Sequence, residues 1–246
     1  MRFNKAMIIE YLGTNYAGWQ CQSHSPSIQE EVQKALGKLY KKPVTIVGSG
    51  RTDSGVHSMG QTANFVTDSY IGDESLVLGI NSILPPDISV AKAWDVPLNF
   101  HAQKWAQKKT YLYKILHSRV RSCFYEDRAW WVKGRADMDL APLILKEFEG
   151  THDFTSCCAL VSLKQNNVRT VLETKFYRAG DLYHLEVTGN GFLHNMVRII
   201  TGTVIKGCRG SYGPERVREM LETKDRKKGG PTAPAAGLYL KEVFYP

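Results

Sequence analysis

The chain is poor in cysteine, in acidic charge and in long apolar runs. Its five cysteines, Cys21, Cys123, Cys157, Cys158 and Cys208, are odd in number, and no C-x-x-C pair occurs. That argues against a zinc site and suggests a reducing cytosol in which the thiols persist. The neighbouring Cys157 and Cys158 read as reduced, structural residues rather than a redox pair. No stretch of about 18 apolar residues is present, which excludes an ordinary membrane-spanning helix. The opening MRFNKAMIIEYLG is too short and too mixed for a secretory signal, so a cytoplasmic location is expected. No clear repeat relates one half of the chain to the other. Asp and Glu number 24 against 32 Lys and Arg, a net charge of +8. A basic surface favours polyanions, chiefly nucleic acid, but charge alone leaves that partner and no such partner on equal terms.

What is present reads as a globular protein of 246 residues, 43% hydrophobic and 23% charged. AMIIEY predicts a strand. SIQEEVQKALGKLYKK predicts a helix with Ile28, Val32, Ala35, Leu36 and Leu39 on one face and a Ser27–Glu30 capping box. Short strands are expected at PVTIVG and GQTANFVTD, a helix at DESLVLGINSIL and a strand at ISVAKAWDV. The second half follows a similar order. TYLYKILHS alternates as a strand, with Tyr111, Tyr113 and Ile115 on one face. DLAPLILKEFEG predicts a helix, and TVLETKFYRAGDLYHLEVTGNGF a hairpin turning at Ala-Gly-Asp. Helices follow at LHNMVRIITGTVIKG and GPERVREMLETK, the latter with proline at its first position. APAAGLYLKEVFY closes as a loop and strand. This order predicts an α+β fold with a largely antiparallel sheet. Two modules are expected, 1–100 and 101–246. The basic stretch KDRKKGGP (224–231) reads as a solvated surface loop in preference to a phosphate contact.

One segment resists a plain reading. VGSGRTDSGVHSMGQ (47–61) is glycine-rich, yet carries Arg51, Asp53 and His57 at its centre. A Walker A loop needs Gly-Lys-Ser/Thr, and no lysine is here. A dinucleotide fingerprint needs G-x-G-x-x-G leading into a helix, whereas Gly48, Gly50 and Gly55 precede a strand-like segment. One aspartate does not make a calcium loop, and His57 has no third metal ligand nearby, so it reads as a structural, hydrogen-bonding histidine. Asp-Ser-Gly is also good turn chemistry. On spacing alone, an exposed turn with an Arg51–Asp53 ion pair and a mount for a reactive carboxylate stand level.

Other segments break that tie. GRTDSGVHSMGQ resembles the signature loop of the TruA family of tRNA pseudouridine synthases. GTNYAGWQ (13–20), FHA with KKTYLYKI (100–115), GNGFLHNMVRIITG (189–202) and APAAGLYL (233–240) resemble that family's other motifs, in the family's order. Departures at Leu12, Cys21, Gln103, Lys104 and Cys157–Cys158 fall on RNA contacts or packing and spare the carboxylate loop.

The resemblance implies isomerisation of uridine to pseudouridine in the anticodon stem-loop of tRNA, with no cofactor and no metal. Asp53, the one acid in the loop, would act as nucleophile or base, a role open to carboxylates at sugar carbons. Arg198 in HNMVR would keep that carboxylate ionised against burial, Tyr111 would stack on the uracil, and Arg51 would fill the gap left by the flipped base or hold its backbone. Leu238 would wall the pocket, although core packing explains it equally well. Tyr113 is expected to be a core residue. The family further implies a homodimer, each chain built of two ferredoxin-like halves sharing a central sheet, with the active-site cleft between them. The competing reading is a non-catalytic tRNA- or RNA-binding module on the same scaffold. A nucleotide-binding enzyme is the weakest reading, for want of the lysine.

Overall fold

The computed structural model describes the whole chain except residues 160, 161, 163, 164 and 212. The fold is mixed α/β, with ten strands and five α-helices among the described residues. It divides into two compact units, Met1–Gln107 with Tyr239–Pro246, and Lys108–Leu238. Among the described residues no helix is long and apolar enough to cross a membrane.

The first unit is built on β1 (Phe3–Tyr11), α1 (Ile28–Tyr40), β2 (Val47–Gly48), β3 (His57–Thr67), α2 (Asp73–Asn81) and β4 (Ile88–Val96). β1 pairs antiparallel with both β3 and β4. The chain's last strand, β10 (Leu238–Phe244), returns to lie parallel to the start of β3, with Tyr239 opposite His57. β3 thus has neighbours on both edges, and it is buried along nearly its whole length. α1 starts at Ser27, whose hydroxyl accepts from the Glu30 N–H, and it buries Ile28, Val32, Ala35, Leu36 and Tyr40. Those residues recur at helical spacing and pack with Met7, Ile9, Phe65, Leu76 and Ile80 into one apolar core. PVTIVG forms only the two-residue strand β2, because Val47 and Gly48 alone pair with β3. Lys5 is buried in this unit and reaches Asp73 on α2 at 2.6 Å and Asp95 on β4 at 2.7 Å.

The second unit contains β5 (Lys108–His117), β6 (Trp130–Val132), α3 (Ala141–Lys146), β7 (Gly150–Asp153), β8 (Val168–Ala179), β9 (Leu182–Gly189), α4 (Met196–Cys208) and α5 (Pro214–Thr223). β5, β9, β8 and β7 lie side by side, all antiparallel. β6 runs parallel along β5. The hairpin turns at Gly180–Asp181, with Ala179 opposite Leu182. α3 is shorter than its sequence pattern predicts, since a 3-10 turn at Met138–Leu140 takes up the start of that segment. α4 is buried almost all round, as its apolar composition requires.

The basic stretch 224–231 is not simply solvated. Lys228 pairs with Glu219, and Arg226 donates to the Gly230 carbonyl. Gly230 donates to Thr203 on α4. A Cβ on Gly202 would sit 1.8 Å from the Pro231 carbonyl oxygen, so the glycine lets this loop lie against the helix. The cysteines are all free, and Cys157, Cys158 and Cys208 are buried. Burial pushes the Cys157 thiol up to about 12, away from the reactive thiolate.

Candidate active site

The glycine-rich loop fills the gap between β2 and β3 and is held by a second loop, residues 13–19. The Trp19 N–H donates to the Thr52 carbonyl at 3.1 Å, and the Gly55 N–H to the Tyr16 carbonyl at 3.4 Å. The Ser54 hydroxyl donates to the same Tyr16 carbonyl at 3.2 Å. Behind the loop, the buried Tyr11 and Thr52 hydroxyls share a hydrogen bond of 2.8 Å. Burial raises the Tyr11 phenol, so it remains a neutral hydroxyl. At the loop's start the Ser49 hydroxyl donates to the Gln61 Oε1 at 2.5 Å, and Gln61 Nε2 donates to the Gly50 carbonyl at 2.9 Å. GTNYAGWQ and GRTDSGVH are therefore two halves of one local structure.

Within that structure Asp53 opens a tight turn closed by the Val56 N–H donating to the Asp53 carbonyl at 3.2 Å. Gly55 holds the third position at φ 74°, the conformation a type II turn reserves for glycine. Asp53 is half-buried and Arg51 exposed. Among the described residues Arg51 makes no hydrogen bond or ion pair. His57, at the loop's exit, is fully buried; its Nδ1 accepts from the Gly13 N–H at 2.9 Å, and its ring lies 4.7 Å from that of Tyr239. The hydrogen-bonding role expected for it is the one found.

The second unit presents the other candidates. Tyr111 is half-buried on β5 and meets the Phe192 ring edge-on at 5.0 Å. Tyr113, two residues on, is wholly buried and donates to the Pro234 carbonyl at 2.6 Å, a core residue as expected. Arg198 lies in the first turn of α4. Its Nε donates to the Ala233 carbonyl and its Nη1 to Asn195 Oδ1, both at 2.7 Å. The segment 233–234 is thus clasped between Arg198 and Tyr113, and the guanidinium plane is set by two bonds. Leu238 follows a few residues later, 6% exposed at the start of β10.

Three neighbours of the candidate residues are not evident from sequence alone. Asn195 has a left-handed backbone, φ 63°, at the point where it caps α4 and holds Arg198. Phe192 supplies the edge against Tyr111. Lys109, on the same β5 face as Tyr111, is pushed down to about 8 by burial. Only the alternation of β5 hinted at that lysine, since a Lys-Lys pair before a strand otherwise reads as solvated.

A family model described as tRNA pseudouridine synthase matches residues 7–103 and 144–246. The chain belongs to the tRNA pseudouridine synthase family. It is 38% identical over 242 residues to tRNA pseudouridine synthase A of Acetivibrio thermocellus, covering 98% of this chain and 99% of that one. It is 39% identical to tRNA pseudouridine synthase A of Thermoanaerobacter sp., with the same coverage. It is also 39% identical over 247 residues to tRNA pseudouridine synthase A 2 of Clostridium tetani, covering 100% of both. As a member of this family it is an isomerase that forms pseudouridine in tRNA. The double loop around Asp53 and the segment carrying Arg198 both fall inside the matched residues.

Proposed function

We propose that the protein isomerises uridine to pseudouridine in the anticodon stem-loop of tRNA, with Asp53 as the attacking carboxylate or base. The observation that carries this reading is the rigid mount of Asp53: a glycine turn pinned to loop 13–19, inside a segment matched by the family model. The turn is closed through the Asp53 main-chain carbonyl, which fixes the backbone that carries the carboxylate.

In this reading the uracil leaves C1′, rotates and rejoins through C5, so no atom is lost and no cofactor or metal is needed. Asp53 takes the ribose or base carbon, Arg198 is its cationic partner, and Tyr111 stacks on the uracil. Leu238 adds an apolar wall. Arg51 occupies the space of the flipped nucleotide or holds its backbone. Such an enzyme works as a cytoplasmic homodimer, each chain made of two ferredoxin-like halves. The N-terminal half contributes Asp53, and the C-terminal half Tyr111 and Arg198.

The test is to incubate the protein and its Asp53→Asn variant with unmodified tRNA transcripts and map every new pseudouridine. The wild type is expected to modify uridines of the anticodon stem-loop. The variant is expected to form none while binding tRNA nearly as well. Product from the variant overturns the role of Asp53, and product only elsewhere on the tRNA overturns the location.

A further inference from the structure

The connection from β5 to β6, residues 118–129, is tied at both ends. Trp131 Nε1 donates to the Ser118 carbonyl at 3.1 Å, and the His117 Nε2 lies 2.9 Å from the Gly134 carbonyl oxygen. Its middle is a 3-10 turn, Cys123–Tyr125, braced by the Arg128 and Ala129 N–H groups on the Tyr125 carbonyl at 3.1 Å. A loop so fixed could tuck its apolar side chains inward, yet Phe124 stands 82% exposed and Val120 72%. Arg119, Arg121 and Arg128 are exposed around them. From 117 to 135 the chain carries five Lys and Arg against two acids, Glu126 and Asp127. The Arg121–Glu126 pair, at 3.6 Å and exposed on both sides, is weak enough for a phosphate to displace.

Resting on the reading of the protein as a tRNA-modifying enzyme, we infer that this loop is an RNA-docking surface: Phe124 stacks on an unpaired base of the tRNA while Arg119 and Arg121 hold the adjoining phosphates. An exposed ring amid guanidinium groups suits a base and its backbone. A second copy of this chain seated on this loop would bring the loop's own positive charge against itself, so charge favours the polyanion here. None of these residues belongs to the proposed reaction site, so they would act on binding rather than on chemistry.

The experiment measures binding of an unmodified tRNA transcript by fluorescence anisotropy across a salt series, with oligomeric state followed by light scattering. Wild type is compared with Phe124→Ala and with Arg119→Gln/Arg121→Gln. Both sets of side chains are exposed, so the variants are expected to melt as the wild type does. Phe124→Ala is expected to weaken binding about tenfold, the scale of one base stack removed, with the salt slope unchanged. The double arginine variant is expected to flatten that slope by roughly 0.7 to 0.9 for each phosphate it no longer holds. Equal affinity and slope for all three proteins overturns the inference. So does a loss of affinity that tracks dissociation of an oligomer, which makes the loop an interface between copies. A wild type that binds no tRNA overturns the underlying reading as well, and shows this without any variant.

Discussion

The Nδ1 of His57 accepts a hydrogen bond from the backbone N–H of Gly13, 2.9 Å away and 44 residues earlier in the chain. The bond fastens the start of loop 13–19 to the exit of the carboxylate loop, so His57 acts on Asp53 through backbone geometry. Replacing His57 with Phe keeps a ring against Tyr239 but removes the acceptor and leaves a buried N–H without its partner. The expected loss is about 1–3 kcal/mol of stability, read from urea denaturation midpoints, together with lower activity per folded molecule. A His57→Phe protein as stable and active as wild type shows that the bond does not hold the loops.

Gly18 is the other fastener. It has φ 105°, and a Cβ there would lie 2.5 Å from the Thr52 carbonyl oxygen. Gly18→Ala therefore combines backbone strain with a push on the residue beside Asp53. A cost of about 2 kcal/mol or more is expected, visible as a melting temperature several degrees lower. Unchanged melting means that the loop yields at little cost.

Arg51 is expected to separate function from stability. It is exposed and has no hydrogen bond or ion pair among the described residues. Arg51→Ala should change stability by no more than about 0.5 kcal/mol and still lose most pseudouridine formation on tRNA transcripts. An early-melting variant with normal activity once folded assigns the residue to the loop's structure instead.

Lys5 ties folding to pH at the alkaline end. Burial works to lower its pKa, but its hydrogen bonds to Asp73 and Asp95 and the charge of those carboxylates outweigh that, and the net shift is upward from 10.5. A folded-state pKa above the unfolded one favours the fold while the unfolded lysine is still protonated. That contribution is complete below the ordinary lysine value and is lost as pH rises through the folded one. Stability should therefore fall on the alkaline side in wild type. Lys5→Met should lack that particular limb, because no charge remains to titrate. The two carboxylates are 46% and 51% exposed, so water can take over their solvation in the variant. Denaturation midpoints of both proteins from pH 8 upward decide it; parallel curves would remove Lys5 as the cause.

Much of the fold was readable in the chain itself. The period of Ile28, Val32, Ala35 and Leu36, with Ser27 before them, is local information, and α1 begins where that cap stands. The Gly180–Asp181 turn and proline at the head of α5 are equally local. PVTIVG is different: its pattern suits a strand, but strand length depends on what β3 leaves free to pair, and only two residues do. Likewise KDRKKGGP has the composition of a solvated loop. Its glycines are buried against α4 because Gly202, far away in sequence, leaves them room.

The sequence by itself determined the family, through motifs whose residue types and order survive in a linear reading, and it singled out Asp53 as the one acid among glycines. The loop's own spacing could not choose between an exposed turn and a mounted carboxylate, because both have the same local composition; the other motifs broke that tie. Tertiary structure shows a pinned turn: Trp19, Tyr16 and Tyr11 reach the loop from 33 to 41 residues away and satisfy its backbone and hydroxyl groups. The same holds for Arg198, whose plane is set by the carbonyl of Ala233, 35 residues on. Hydrogen-bond partners so distant in sequence carry no periodicity, so only the folded chain reveals them.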